Sequence, residues 1–304
     1  MRRELSAPPR PLWSPADVAV AAQVACLLEV SAPKPGNVSA GASFHDTRWE
    51  DFLVSAAAIG PALASAGERP LGETIRAAIE ATRRWTRVNT NLGVVLLLAP
   101  LARAALRQGP GSLRARLAAT LADTTVEDAR EVYTAIRLAS PGGLGRAPAQ
   151  DVAHTPTVTL REAMALAADR DAIAREYGTE FRATFDVGAP ALERALEDGL
   201  SWNEATVEAY LTLLASAPDT HIARKLGRDE AGAVQRRARA ALEAGGVRQA
   251  AGRGAIAALD HDLRDARNAR NPGATADLTA AAIFVVLLAG GWRVKAEEAN
   301  GRSR

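Results

Sequence analysis

The chain has 304 residues with 37 Lys and Arg against 35 Asp and Glu, a formal charge of +2, and 48% of it is hydrophobic. That is ordinary globular composition, long enough for one large or two medium domains with a real core. The small surplus, spread without a Lys/Arg block, argues against a nucleic-acid binder that works by neutralising phosphates.

Residues 1–12 are Pro-rich and read as a flexible lead-in without the apolar stretch of an export signal. Ser14-Pro15-Ala16-Asp17 opens a helix to about Val30, with Pro15 where no N–H is missed. That helix carries the lone Cys26, which cannot close an intramolecular disulfide and reads as a buried thiol in a reducing cytoplasm. Further helices are expected over 49–66, 71–87, 90–108 with a kink or break at Pro100, and 113–122. Side-chain oxygens answered three residues later by an acid open three more: Thr125 through Ala139, Thr159 to about Arg175, and Ser201 to about Ala217. The stretches 189–198, 229–245, 255–268 and 276–290 complete the set. The apolar run Ala280 to Ala289 is too short to cross a bilayer, which needs roughly 20 residues, and reads as a buried core helix. The expectation is an all-α fold: one compact multi-helix domain over 13–293, functional loops at helix ends, and a polar tail over 294–304.

Four loops have unusual composition. Ser31 to Val38 contains Lys34-Pro35-Gly36-Asn37, where Pro-Gly predicts a type II turn and gathers backbone N–H groups, an amide and an ammonium. Such a turn is either a solvated bend or an anion site. Val88-Asn89-Thr90-Asn91-Leu92-Gly93 precedes a strongly apolar helix, and Ser140-Pro141-Gly142-Gly143-Leu144-Gly145 leads to Asp151. Asn271-Pro272-Gly273 repeats the first geometry, with Thr275 as a helix cap and Asp277 in the first turn. Neither Gly142-Gly143-x-Gly145 nor Gly252-x-Gly254 has the strand a nucleotide fingerprint requires. Acids beside these loops, among them Glu29, Asp51, Asp128, Asp151, Asp171 and Asp277, are each explained by capping or surface charge. Several together could serve a hydrated Mg²⁺, whereas the scattered histidines make zinc a poor choice. His45 and His221 are placed to donate to phosphate, and Arg170-Asp171 interrupts an Ala- and Leu-rich helix.

Taken in order, these segments resemble the triphosphoribosyl-dephospho-CoA synthase family. The likeness rests on Glu29, Lys34-Pro35-Gly36-Asn37-Val38, Asp51-Phe52, Asn89-Thr90-Asn91-Leu92-Gly93, Pro141 through Gly145, Arg170-Asp171, Asp219-Thr220, and Asn271 through Leu278. It spans about residues 15–290. It implies an all-helical enzyme that moves a triphosphoribosyl group from ATP to the ribose 2′-hydroxyl of 3′-dephospho-CoA and frees adenine. Mg²⁺ would come with the ATP, the protein would be cytoplasmic, without membrane or nucleic-acid partners, and a homodimer is a possible assembly. Under this reading Glu29 and Asp51 are the catalytic carboxylates, with Glu29 as base. Lys34, Gly36, Asn37, His45, Asn89, Asn91, Arg170, Asp171, Lys225 and Asn271 bind substrate and phosphate, and Asp128, Asp151 and Asp277 contact metal or ribose. Citrate lyase-type members carry Lys-Pro-Gly-Leu-Val-Asp, Asn-Thr-His-Lys-Gly and an Arg-Gly-Glu run at three of these loops. This chain has lost two basic groups and an acid there, as in a divergent branch found near pterin-linked one-carbon genes. The alternatives are therefore an ATP-using transferase or ligase acting on another acceptor, and a helical ATP-binding regulator without turnover.

Overall fold

The computed structural model describes residues 13–143, 145–265 and 267–290; the expected lead-in, Leu144, Ala266 and the whole of the polar tail lie outside them. Among the described residues there are fourteen α-helices and no strand, only one isolated bridge between Ser39 and Ala42.

Two helices are buried on every side, and they set the architecture. α4 (Leu92–Leu106) keeps Pro100 inside it, and α14 (Gly273–Leu288) is buried at nearly every position from Ala274 onward. A helix that is apolar all round can only be stable in the middle of a bundle. α1 (Pro15–Ser31) packs on both, and α2 (Trp49–Ala64), ending in a 3₁₀ turn over Ser65–Gly67, lies along α1. α3 (Leu71–Arg83), α5 (Leu113–Ala122) and α6 (Val126–Ala139) close that half. On the other side α9 (Ala189–Glu197) and α10 (Trp202–Ser216) pack on α14, and α12 (Arg228–Glu243) and α13 (Ala250–Leu263) form a smaller apolar cluster with α10.

The expected helix starts hold because they are local. Ser14, Thr125, Thr159 and Ser201 each accept from the backbone N–H three residues on, and an acid there answers the cap. One expected helix is corrected. The stretch from Thr159 breaks into α7 (Leu160–Ala165) and α8 (Ala172–Thr179), because Asp171 Oδ1 turns back to cap α8 through the N–H groups of Ile173 and Ala174. Arg170-Asp171 therefore sits at a helix boundary. The short α11 (Thr220–Leu226) and a π-helical turn over Thr184–Gly188 were not expected from the sequence. Asp219 has two tasks: Oδ1 caps α11 at His221 and Ile222, while Oδ2 accepts from Thr275 N and Oγ1 at 2.8 and 2.7 Å. The cap of α14 thus comes from across the fold, and that pins the starts of both helices together.

Candidate active site

A cavity of about 610 Å³ opens where α1, α4, α8, α11 and α14 present their ends. This lies within the usual range for small-molecule sites, about 300–1,000 Å³. Its walls are supplied by the four unusual loops and an apolar side that includes Ile136, Met164 and Ile173.

At its buried end stand two carboxylates. Glu29, in the last turn of α1, is 6% exposed and lies 3.1 Å through Oε1 from Lys34 Nζ. Lys34 itself is fully buried, and its ammonium also donates to the carbonyls of Glu29 and Ala32. Burial raises the Glu29 pKa and lowers that of Lys34, and each charge pulls the other partly back. Asp277 lies one turn into α14, opposite Gly93 of α4: a Cβ on that glycine would come within 2.0 Å of Asp277 Oδ2. Loss of solvent and then the charges of Glu29, Asp219 and Asp171 push the Asp277 pKa well up, with Arg224 acting weakly the other way. Cys26 lines the same end, and burial beside these acids holds its thiol protonated and unreactive.

The Pro35-Gly36 turn forms as expected, with Gly36 at φ 71°, but it is not an anion cradle. Its N–H groups are engaged: Gly36 donates to Asp260 Oδ1 at 2.7 Å and Asn37 to Lys34 O at 3.1 Å. A Cβ at Gly36 would lie 2.6 Å from the Leu263 Cβ, so the glycine serves close packing against α13. The turn instead delivers the Asn37 amide to the cavity, where it donates to Asn271 Oδ1 at 3.0 Å. Asn89 and Asn91 line the same space, each also bonded beside its helix, to Leu92 N and Thr82 Oγ1.

The exposed end carries charge of both signs, with Asp151, Asp169 and Asp171 beside a set of arginines. Arg170, Arg175, Arg224 and Arg228 all line it. Arg224 Nη1 meets Asp171 Oδ2 at 3.2 Å, while its buried Nε has no hydrogen-bond partner. His221 also lines the cavity, one turn before Arg224, packed so closely on Gly273 that a Cβ there would lie 2.3 Å from Nδ1. Burial, reinforced by Lys225 and Arg224, lowers its pKa to about 3, so it is neutral.

Of the residues proposed from sequence, Glu29, Asn37, Asn89, Asn91, Asp151, Arg170, Asp171, Asn271 and Asp277 converge on this cavity. Six do not line it. Lys34 is sealed behind Glu29, and Gly36 is packed under α13. Asp51 is committed to the start of α2, accepting from Arg48 N and from Thr86 Oγ1, both at 2.9 Å. Asp128 caps α6 and accepts from Gly72 N at 2.8 Å, joining α6 to α3. His45 is exposed beside Asn268, and Lys225 is exposed with Nζ toward Asn268 O. The expected gathering of Asp128, Asp151 and Asp277 does not occur: no group of three or more His, Cys, Asp or Glu suited to a metal exists among the described residues. Asp151 is also engaged, with both oxygens accepting backbone N–H groups that lower its pKa. Arg175, Arg224 and Arg228 were missed in the sequence; for Arg224 the basic last turn of a helix opening just after Pro218-Asp219 was the available signal.

Residues 15–295 match the model of a family described as ATP:dephospho-CoA triphosphoribosyl transferase. The chain is 31% identical over 275 residues to a protein of Azotobacter vinelandii named as a probable 2-(5''-triphosphoribosyl)-3'-dephosphocoenzyme-A synthase, covering 83% of this chain and 84% of that one. A protein of the same name from Pseudomonas paraeruginosa is 40% identical over 108 residues, and this match spans only 36% of that relative's length. A crystal structure from Archaeoglobus fulgidus, assigned provisionally as a triphosphoribosyl-dephospho-CoA synthase, superposes with a TM-score of 0.61 at 31% identity, covering 79% of this chain and 100% of the other.

Proposed function

The chain belongs to the ATP:dephospho-CoA triphosphoribosyl transferase family, and from that premise we propose that it transfers the 5-triphosphoribosyl group of ATP to the ribose 2′-hydroxyl of 3′-dephospho-CoA, releasing adenine. The observation that carries this reading is the presence in one cavity of a buried, lysine-held carboxylate, Glu29, and of four arginines in the more exposed lining.

Transfer of a ribosyl group passes through an oxocarbenium-like carbon, so it needs a base for the incoming hydroxyl, charge stabilisation at the sugar and a grip on the phosphates. Glu29 is the base: it lines the cavity, and Lys34 fixes its carboxylate. Asn37, Asn91 and Asn271 surround the sugar with amides, and Arg170, Arg224 and Arg228 hold the triphosphate. Arginine suits that task because its planar fork meets phosphate oxygens in pairs. Mg²⁺ enters with the nucleotide as part of the substrate, held mainly by its phosphates and waters. The apolar wall that includes Ile136, Met164 and Ile173 accepts the aliphatic arm of the acceptor.

Purified protein incubated with ATP, Mg²⁺ and 3′-dephospho-CoA, followed by chromatography and mass, tests this. Adenine appearing only with 3′-dephospho-CoA is the expected result. ATP consumed only with some other metabolite would overturn the acceptor, and ATP bound but never consumed would overturn the transferase reading.

A further inference from the structure

The two carboxylates at the buried end of the cavity have opposite surroundings. Glu29 has a cation, Lys34, at 3.1 Å, as well as the α1 backbone that the same ammonium ties down. Asp277 has neither. No hydrogen bond or ion pair reaches its carboxyl among the described residues, and its oxygen presses on the bare Cα of Gly93, where α4 brings no charge. The groups facing it from the other helices are the acids Glu29 from α1, Asp171 at the start of α8 and Asp219 at the start of α11, with neutral His221 and Cys26 and, more distantly, Arg224. A carboxyl that faces other carboxylates with no cation or hydrogen-bond donor against it favours the neutral acid, and this kind of asymmetry separates an acid from a base in one site.

We infer that Asp277 enters the reaction as a carboxylic acid and gives its proton to the departing adenine, while Glu29 takes the proton of the attacking hydroxyl. This rests on the transferase reading above. The steps balance. The acceptor oxygen bonds to C1′ and its proton goes to Glu29, while the C1′–N9 bond breaks with its electron pair passing into the purine. The Asp277 proton satisfies a purine nitrogen, and after release the proton on Glu29 restores Asp277 through solvent. Glycine at position 93 follows from this role, because any side chain there would displace the acid.

The test compares leaving groups. Asp277→Asn keeps the shape and removes the proton. It should slow adenine release from ATP about 100-fold or more, within the usual worth of a positioned acid. The 4-nitrophenyl riboside 5-triphosphate, whose leaving group departs as a stable anion, should lose less than about 10-fold by the same argument. Equal losses on both substrates would overturn the proposal and leave the transferase standing. A wild-type protein that frees no adenine from ATP with any acceptor would overturn the function, and the proposal with it. Infrared spectra of protein labelled with ¹³C-aspartate give a readout independent of turnover: a protonated-aspartate carbonyl band at neutral pH that Asp277→Asn removes. Its absence from the wild type would overturn the proposal without recourse to a variant.

Discussion

The two ends of the cavity handle charge in contrasting ways. At the exposed end Arg170 and Arg228 reach solvent, and Arg224 is shared with Asp171 at 3.2 Å. At the buried end Lys34 is 0% exposed and bound to one acid and two carbonyls. Exposed cations are available to a ligand and cheap to keep, whereas a buried cation is already spent on its partner and stays charged only through it. Under the proposed function, phosphate binding falls to the arginines and proton transfer to the acids, so variants at the two ends should fail in different ways.

The largest effect is expected at Glu29. Glu29→Gln should lower kcat for adenine release by about 10²–10⁴-fold, the range of a lost general base, with the ATP KM little changed. A matching rise in KM would move Glu29 to the binding end and break the contrast. Next comes Lys34→Met, which leaves Glu29 buried without its cation and should cost about 3–5 kcal/mol of stability by denaturant unfolding. Lys34→Arg changes the fork geometry and should rescue only part of that. A stable Lys34→Met protein whose sole defect is a weaker grip on ATP would show that the ammonium reaches the substrate after all. Arg224→Ala should instead raise the ATP KM about 10–100-fold, the worth of one or two charge-assisted hydrogen bonds, with a smaller change in kcat.

Lys34 also shows which features are legible in the sequence. Capped helix starts at Ser14, Thr125 and Ser201 are local chemistry, settled within four residues, and the structure reproduces them. The Pro35-Gly36 turn is local too. The direction in which the preceding lysine points is not local: it depends on α10 and α13, where Tyr210 holds Pro35 O at 2.8 Å and Asp260 holds Gly36 N. The same limit explains Asp128 and Asp51. Each looks like a free acid beside a loop, and each is consumed by its own helix start and by one partner from α3 or the loop that follows it, Gly72 and Thr86 respectively. Of the candidate acids that line the cavity, Asp277 lies on the helix whose apolar run Ala280 to Ala289 marks it as buried, and Glu29 on the helix whose start at Ser14 is local chemistry. Arg224 was missed because α11 is a single short helix, fixed by Asp219 from one side and α14 from the other.

The smallest expected effect bears on Asp277 alone. A carboxyl whose pKa is raised by folding binds more protons in the native than in the unfolded state across that interval, so stability falls as pH rises through it. Below the unfolded value both states are protonated and nothing is lost. Asp277→Asn, which cannot ionise, should therefore unfold at nearly the wild-type temperature in mild acid and at a higher temperature in mild alkali. Each kcal/mol regained corresponds to roughly 2–4 °C or less in a chain of this size. Thermal scans of both proteins across the pH range measure the gap. An Asp277→Asn protein that instead unfolds at a lower temperature than the wild type in mild alkali would mean that the native fold stabilises the Asp277 carboxylate, and then both ends of the cavity would hold ionised groups.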